Sequence, residues 1–392
     1  VIPRRAIVCL GLSQLISWGI SYYLIGVFGE RIAADLGWSR ETVYSGFSLA
    51  LLAMGVSSPL VGRLVDRRGG KLAMIAGAVF NACGCLMLAA AQTHLVYFCA
   101  WILLGLGMRL SLYDAAFAAL ARIGGPGARR PMSQITLLGG LASTVFWPIG
   151  NQLADLFGWR GALMGYAFMA LVTIPLHATL PNARYREPVA AASAHPVAPL
   201  AASGRPRLVA ALLYAAIVTL TNFLNSGMSA HMIAILAGLG LGASAAVNAA
   251  TLRGIGQSLA RLCEVLFGRT LHPFTLNLAA TAILPLAFLA GLLASAHWTA
   301  AAAFAFFYGA GNGLVTITRG TLPLVLFDHR SYGSFVGRLI APSFLLSAAA
   351  PVIYAKIISS SGEQAALILS VAVALLTVLA AAALKLLFGE GK

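Results

Sequence analysis

Gly62-Arg63-Leu64-Val65-Asp66-Arg67-Arg68-Gly69-Gly70-Lys71 lies between two long apolar runs. A stretch this short and this basic, bracketed by lipid-compatible segments, is expected to form a tight turn joining two membrane helices. Gly62 allows close approach of a neighbouring helix, and Gly69-Gly70 allows a sharp reversal. Asp66 can accept hydrogen bonds from the N-terminus of a facing helix or from an arginine. The composition around the turn agrees. The 392 residues are 60% hydrophobic and 9% charged, with a mean hydropathy of +0.88. Soluble domains carry about 25% charged residues, so most of this surface is expected to face lipid.

The net charge of +15 raises nucleic acid as a partner. Its placement excludes that class. The basic residues sit in short loops between apolar runs, and no soluble basic helix interleaves them with stacking aromatics, so membrane topology accounts for the surplus. Cys9, Cys83, Cys85, Cys99 and Cys263 fall within or beside apolar runs and read as small buried side chains. Cys83 and Cys85 are too close for a C-x-x-C redox or zinc pair. No P-loop, metal-ligand cluster or nucleophile–base spacing is present, so no enzyme chemistry, ATP motor or cofactor is expected. The chain begins at Val1, so its start reads as trimmed, and its first apolar run is long enough to span.

Apolar runs of roughly 20 residues mark spanning helices. They are expected near 6–29, 41–61, 72–92, 95–120, 132–154, 160–180, 208–236, 243–266, 273–296, 298–326, 334–358 and 364–388. The expected architecture is therefore an all-α membrane protein of twelve transmembrane helices in two pseudo-symmetric six-helix bundles. The boundaries are an N-terminal bundle at 1–181, a polar cytoplasmic linker at 182–207, rich in Ala, Ser and Pro, and a C-terminal bundle at 208–392. Arg63–Asp66 is echoed by Arg261–Glu264, and Gly105-Leu106-Gly107 by Gly311-Asn312-Gly313, as a duplicated unit requires. One face carries Arg4, Arg5, Arg63, Arg67, Arg68, Lys71, Arg122, Arg129, Arg130, Arg184, Arg186, Arg205, Arg207, Arg269, Arg330, Lys385 and Lys392. The other carries only Arg31, Arg40, Arg160 and Lys356. The positive-inside rule makes the first face cytoplasmic, with both termini on it.

Three arginines lie deep. At 1.5 Å rise per residue, Arg109 is roughly 20 Å, Arg253 roughly 12 Å and Arg319 roughly 16 Å from the basic face. Each such charge costs about 2.5–3.5 kcal/mol and calls for a polar cavity or a partner. Asp114 is the acid at comparable depth. The helix 4 to helix 10 match sets Arg319 at the position of Tyr113, so an Asp114–Arg319 pair is expected. Arg109 and Arg253 then lack an acid. Either they receive an anion by a two-point fork, or carbonyl and amide groups satisfy them as structural locks. Polar stripes at helical spacing accompany them: Gln14, Trp18 and Tyr22 on helix 1; Asn222, Asn225, Ser226 and Ser229 on helix 7; Arg253 and Gln257 on helix 8; Tyr308, Asn312, Thr316 and Arg319 on helix 10. His231, towards the opposite face, reads as a satisfied interfacial histidine.

The opening turn resembles the G-x-L-x-D-R-x-G-x-K/R loop between helices 2 and 3 of the major facilitator superfamily, except that Gly70 stands at an often basic position. The resemblance implies alternating-access transport, a central cavity lined by helices 1, 4, 7 and 10, and a gate formed by Gly62, Asp66 and Arg67. Arg261 and Glu264 are then expected to pair near the cytoplasmic surface. Residues 11–71 are similar to bacterial monocarboxylate and oxalate/formate porters in Tyr22–Phe28, Leu36–Arg40, Phe47–Leu49 and Ser58–Arg63. Gly139–Gly150 lacks the G-P-x-x-G-G element usual in drug/proton antiporters. These resemblances imply a proton-coupled, secondary active transporter of a small organic anion, monomeric, in a bacterial inner membrane. Arg109 and Arg253 would hold the anion, Arg319, Tyr113 and the polar stripes would line its site, and Asp114 would carry the proton or pair with Arg319. The alternative is a proton-driven exporter of amphiphilic or cationic drugs; a non-transporting membrane receptor is disfavoured by the intact gating loop.

Overall fold

A computed structural model describes residues 2–185, 200–201, 203–267, 271–295, 297–327 and 332–389. The core of the expected linker lies outside the described residues, as do Arg186, Arg269, Arg330 and Lys392.

Among the described residues, nine stretches are long and apolar enough to cross a membrane. They supply α1 (Arg4–Leu36), α2 (Arg40–Arg68), α3 (Gly70–Ala89), α4 (His94–Gly124), α7 (Gly204–Gly238), α9 (Pro273–Leu292) and α10 (Trp298–Leu326). The stretch Arg129–Ala178 breaks at Gly158 into α5 and α6, and the helix Tyr332–Phe388 breaks at Gly362 into α11 and α12. The more polar α8 (Ala243–Phe267), which carries Arg253, Arg261 and Glu264, completes twelve rods.

The chain reverses at the opening turn over a single residue. Gly69 takes φ 89°, its amide donates to the Val65 carbonyl at 2.9 Å, and α3 begins at Gly70. A left-handed backbone of this kind strongly favours glycine. Ser39 caps α2 by accepting from the Thr42 amide at 3.2 Å.

Helix contacts repeat across the two halves. The pair α3–α4 corresponds to α9–α10, and α2–α4 to α8–α10. The repeat has a register of 204 residues. Gly105 lets α4 lie on the backbone of Ala50 in α2, and Gly309 lets α10 lie on the backbone of Arg253 in α8. Gly158 and Gly362, at φ 68° and 81°, break the fifth and eleventh helices at the same offset. This register corrects the sequence alignment in two places. Gly105 answers to Gly309, not Gly311. Arg261–Glu264 does not answer to Arg63–Asp66, whose counterparts fall at 267–270, largely outside the described residues.

Contacts cross between the halves on both sides of the midline. Towards the basic face, Ser58 Oγ in α2 donates to the Gly337 carbonyl in α11 at 3.0 Å. Towards the opposite face, the Tyr44 ring of α2 meets His231 of α7 at 4.5 Å between centroids. On that face each arginine has an acid: Arg31 with Asp155, Arg40 with Glu30, and Arg160 with Asp35.

Candidate substrate-binding site

Helix α4 is expected from sequence as one rod, but it breaks at Leu112, whose ψ of −173° separates His94–Ser111 from Tyr113–Gly124. Arg109 occupies the last turn of the first half and Asp114 the first turn of the second. The dipole of each half-helix therefore favours the charge it carries. The break exposes backbone groups that need partners in an apolar medium. Gln14 supplies one, donating through Nε2 to the Ser111 carbonyl at 2.8 Å, while Asn81 Nδ2 donates to Ser111 Oγ at 3.1 Å. Gln14, expected on the cavity wall, instead braces this break and is fully buried. Helix α1 is itself irregular, with a π-helical turn at Trp18–Tyr22 that turns both aromatic residues towards the midline.

The expected pair between the halves is present. Arg319 Nη2 lies 2.7 Å from Asp114 Oδ1, and Nη1 donates to Asn222 Oδ1 at 3.0 Å. Asn222 Nδ2 in turn donates to Ser343 Oγ at 3.0 Å. One turn along α7, Asn225 is the second hub. It accepts from Arg253 Nη2 at 2.7 Å and from Asn312 Nδ2 at 3.2 Å, and donates to the Tyr22 hydroxyl at 3.1 Å.

Arg253 is fully buried and touches no acid among the described residues. Besides Asn225, its Nη2 donates to Ser229 Oγ at 3.1 Å, and the guanidinium stands over the Tyr23 and Tyr308 rings at 5.4 and 5.1 Å. Its Nε and Nη1 have no partner among the described residues. In this conformation Arg253 sits one layer behind the cavity wall, screened by Asn225.

Arg261 departs furthest from expectation. It is not a surface partner of Glu264 but is wholly buried at the junction of α8, α10, α5 and α4. Its Nε donates to the Gly313 carbonyl at 3.1 Å, and its Nη1 donates to the Tyr113 hydroxyl at 3.1 Å and to the Thr136 carbonyl. With its amide oriented to satisfy both neighbours, Gln257 accepts from Arg261 Nη2 at 2.8 Å and donates to the Gly140 carbonyl at 3.2 Å. Glu264 instead faces Arg129 of α5 at 4.0 Å. The sequence misplaced Arg261 because the echo of Arg63–Asp66 was read in the wrong register.

The central cavity is narrow, two adjoining spaces of ≈ 30 Å³ each, enough for a few waters. Trp18, Tyr22, Tyr113, Asp114, Asn222, Asn225, Gln257, Asn312 and Arg319 line it, with Tyr23 and Phe117. Trp18 packs against Tyr22 and Tyr113 at 4.8 and 5.1 Å between centroids. Arg109 opens onto a separate space nearer the basic face, between α2, α4 and α11, which Gly62 also lines. Of the loop residues, Arg67 is exposed, and the Asp66 carbonyl accepts from Arg122 Nε at 3.1 Å. Arg122, which sequence reading treated only as a loop charge, also donates to the Ala183 carbonyl at 2.8 Å and so ties the loop to the start of the linker.

The family model described as the Major Facilitator Superfamily matches residues 10–292. The chain belongs to the major facilitator superfamily. Its described helices are those of a multi-pass membrane protein of that superfamily. Multidrug resistance protein MdtL of Escherichia coli (strain K12) is 31% identical to it over 188 residues, 46% of this chain and 47% of that protein. The same protein of Shigella dysenteriae serotype 1 matches to the same extent. The chain thus matches about half the length of these curated relatives. The crystal structure of the human organic anion transporter MFSD10 (TETRAN) superposes with a TM-score of 0.71, covering 96% of this chain and 99% of that one at 15% identity, a likeness of fold.

Proposed function

We propose that this superfamily member is a secondary active transporter of small organic anions, monocarboxylate-like, driven by protons and working by alternating access. The observation that carries the reading is the charge around the midline. Arg109, Arg253, Arg261 and Arg319 are gathered there, and among the described residues the one acid that pairs with any of them is Asp114, taken by Arg319. Buried cations without acid partners favour an incoming carboxylate, and Arg253 and Arg109 retain unused N–H groups to meet it. Opening the cavity would turn Asn225 aside and bring Arg253 to the wall. Asp114, once protonated, releases Arg319 and lets the halves separate.

The same reading takes 1–181 and 208–392 as the two rocking units, joined by the linker at 182–207. Gly62, Asp66 and Arg67 act in the gate on the basic face, with Glu264–Arg129 as its counterpart and Arg261 as an inner lock. The surplus of basic residues on that face supports cytoplasmic termini, and the reading takes the protein as a monomer in a bacterial inner membrane.

A second reading is a proton-driven exporter of amphiphilic compounds. The MdtL matches favour it, and so does the aromatic wall of Trp18, Tyr22, Tyr23, Tyr113 and Phe117. Transport into proteoliposomes separates the two, using a panel of carboxylates and lipophilic cations with and without a pH gradient. Carboxylate flux that rises with the gradient, loses gradient dependence in Asp114→Asn and fails in Arg253→Gln is the expected result. Cation flux with no carboxylate flux would establish the exporter instead.

A further inference from the structure

Sequence reading places Arg109 and Arg253 around one substrate, but the structure sets them in different compartments. Arg253 belongs to the Asn225 hub on the α7 side of the central cavity. Arg109 lines the space between α2, α4 and α11 with Gly62, Val65, Val336, Gly337 and Ile340, closer to the basic face. Asp114 and Arg319 line this space and the central cavity alike, so their ion pair is the partition between the two.

Arg109 is 3% exposed, and one nitrogen, Nη2, donates to the Ser58 carbonyl at a long 3.4 Å. Its Nε and Nη1 have no partner among the described residues. Those two nitrogens carry three of the five N–H groups of a guanidinium. The acid that shares this space, Asp114, is held by Arg319. Two arginines and one carboxylate leave the cluster with a net charge of about +1 in an apolar setting. The wall opposite is the glycine backbone of α11: a Cβ added at Gly337 would stand 3.4 Å from the Ser58 carbonyl and 3.8 Å from Arg109 Nη2. The space is ≈ 10 Å³, about one water, so it admits a larger group once α2 and α11 part.

Resting on the anion reading above, we propose that Arg109 forms a second anion subsite, on the basic-face side of the Asp114–Arg319 pair, which takes a single carboxylate as it enters or leaves by that face. The central site would then pass its cargo to Arg109 when the partition opens, and not share it with Arg109.

The test compares the two faces. Right-side-out and everted membrane vesicles are loaded with labelled acetate, lactate or benzoate, and KM is measured from each face for the intact protein, Arg109→Gln and Arg253→Gln. Arg109→Gln is expected to raise KM from the basic face about tenfold or more, the loss typical of a charged hydrogen-bond partner, with KM from the opposite face within about twofold. Arg253→Gln is expected to raise both. An equal effect of Arg109→Gln on both faces, or on neither, overturns the second subsite and leaves the anion reading intact. Absence of any carboxylate flux in the intact protein removes both.

Should Arg109→Gln fail to fold, Val336→Cys in a background without the five native cysteines gives an independent reading with Arg109 present. Benzoate is expected to slow maleimide labelling from the basic face, and the protection should survive Arg253→Gln. Labelling that benzoate does not change overturns the subsite.

Discussion

Asp114→Asn and Arg319→Gln, made singly and together, test the ion pair that bridges the two halves. At 2.7 Å and an effective dielectric constant of 20, the attraction is about 6 kcal/mol. Desolvation offsets part of it, and the two side chains retain 14% and 18% exposure. Breaking a buried pair from one side typically costs about 3–5 kcal/mol, because the remaining charge is stranded. Asn222 softens the loss for Arg319, since its carbonyl oxygen keeps one guanidinium nitrogen satisfied. Each single substitution is therefore expected to destabilise by about 2–4 kcal/mol, near the lower end of that range. The double substitution strands no charge, so its loss should fall short of the summed single losses by about 2–3 kcal/mol, as contacting residues do. Unfolding of the purified protein in a fixed detergent, followed against denaturant, supplies the four values. Additivity within about 0.5 kcal/mol would refute the reasoning, because it would mean that the pair contributes no coupling across the midline.

The remaining predictions concern the repeat and the inner lock. Gly158→Ala and Gly362→Ala should each lose about 1–3 kcal/mol, since an added Cβ meets nothing within 4 Å and the cost is that of a positive φ with an extended ψ, a backbone essentially confined to glycine. Thermal unfolding of the two variants should shift alike; one unaffected variant would break the proposed equivalence. Gly309→Val should cost more, about 3 kcal/mol or above, because the new side chain meets the carbonyl of Arg253, and a backbone cannot rotate aside. The same substitution at Gly105, against Ala50, should behave similarly, and expression yield with melting temperature reads both. Arg261→Gln and Glu264→Gln should be additive within about 0.5 kcal/mol, since the two side chains hold different partners. A coupling of several times that size would restore the pairing expected from sequence.

Much of the fold was legible because it depends on quantities that a linear chain carries. Apolar run length counts the spans, and the positions of arginine divide the two faces. Asp114 was found from the sequence because a deep acid in this chain has few alternatives. The pairing with Arg319 survived a two-residue error in the helix 4 to helix 10 match, since the residue aligned under the corrected register, Ala115, is still adjacent to Asp114. Arg261 did not survive the larger error in its own match, six residues. An echo of four residues set its depth, and the true register moves it from the surface into the packed interior. The break in α4 carries no glycine or proline at 111–113; its signal is Ser111 together with Gln14 and Asn81, polar groups on three helices that only folding brings together.

That this chain spans a membrane many times, repeats itself once and concentrates cations in its interior is written in the linear order of its residues. Those properties follow from hydropathy and charge summed along one dimension. The tertiary structure decided which cation meets which partner. Asp114 and Arg319 are 205 residues apart, and Tyr22 and Asn225 are 203 apart. Contacts of that kind depend on the tilt and register of helices packed to within a few ångströms. Displacing a helix by one residue turns a side chain by about 100° around the axis, far enough to move an arginine from a cavity into a wall.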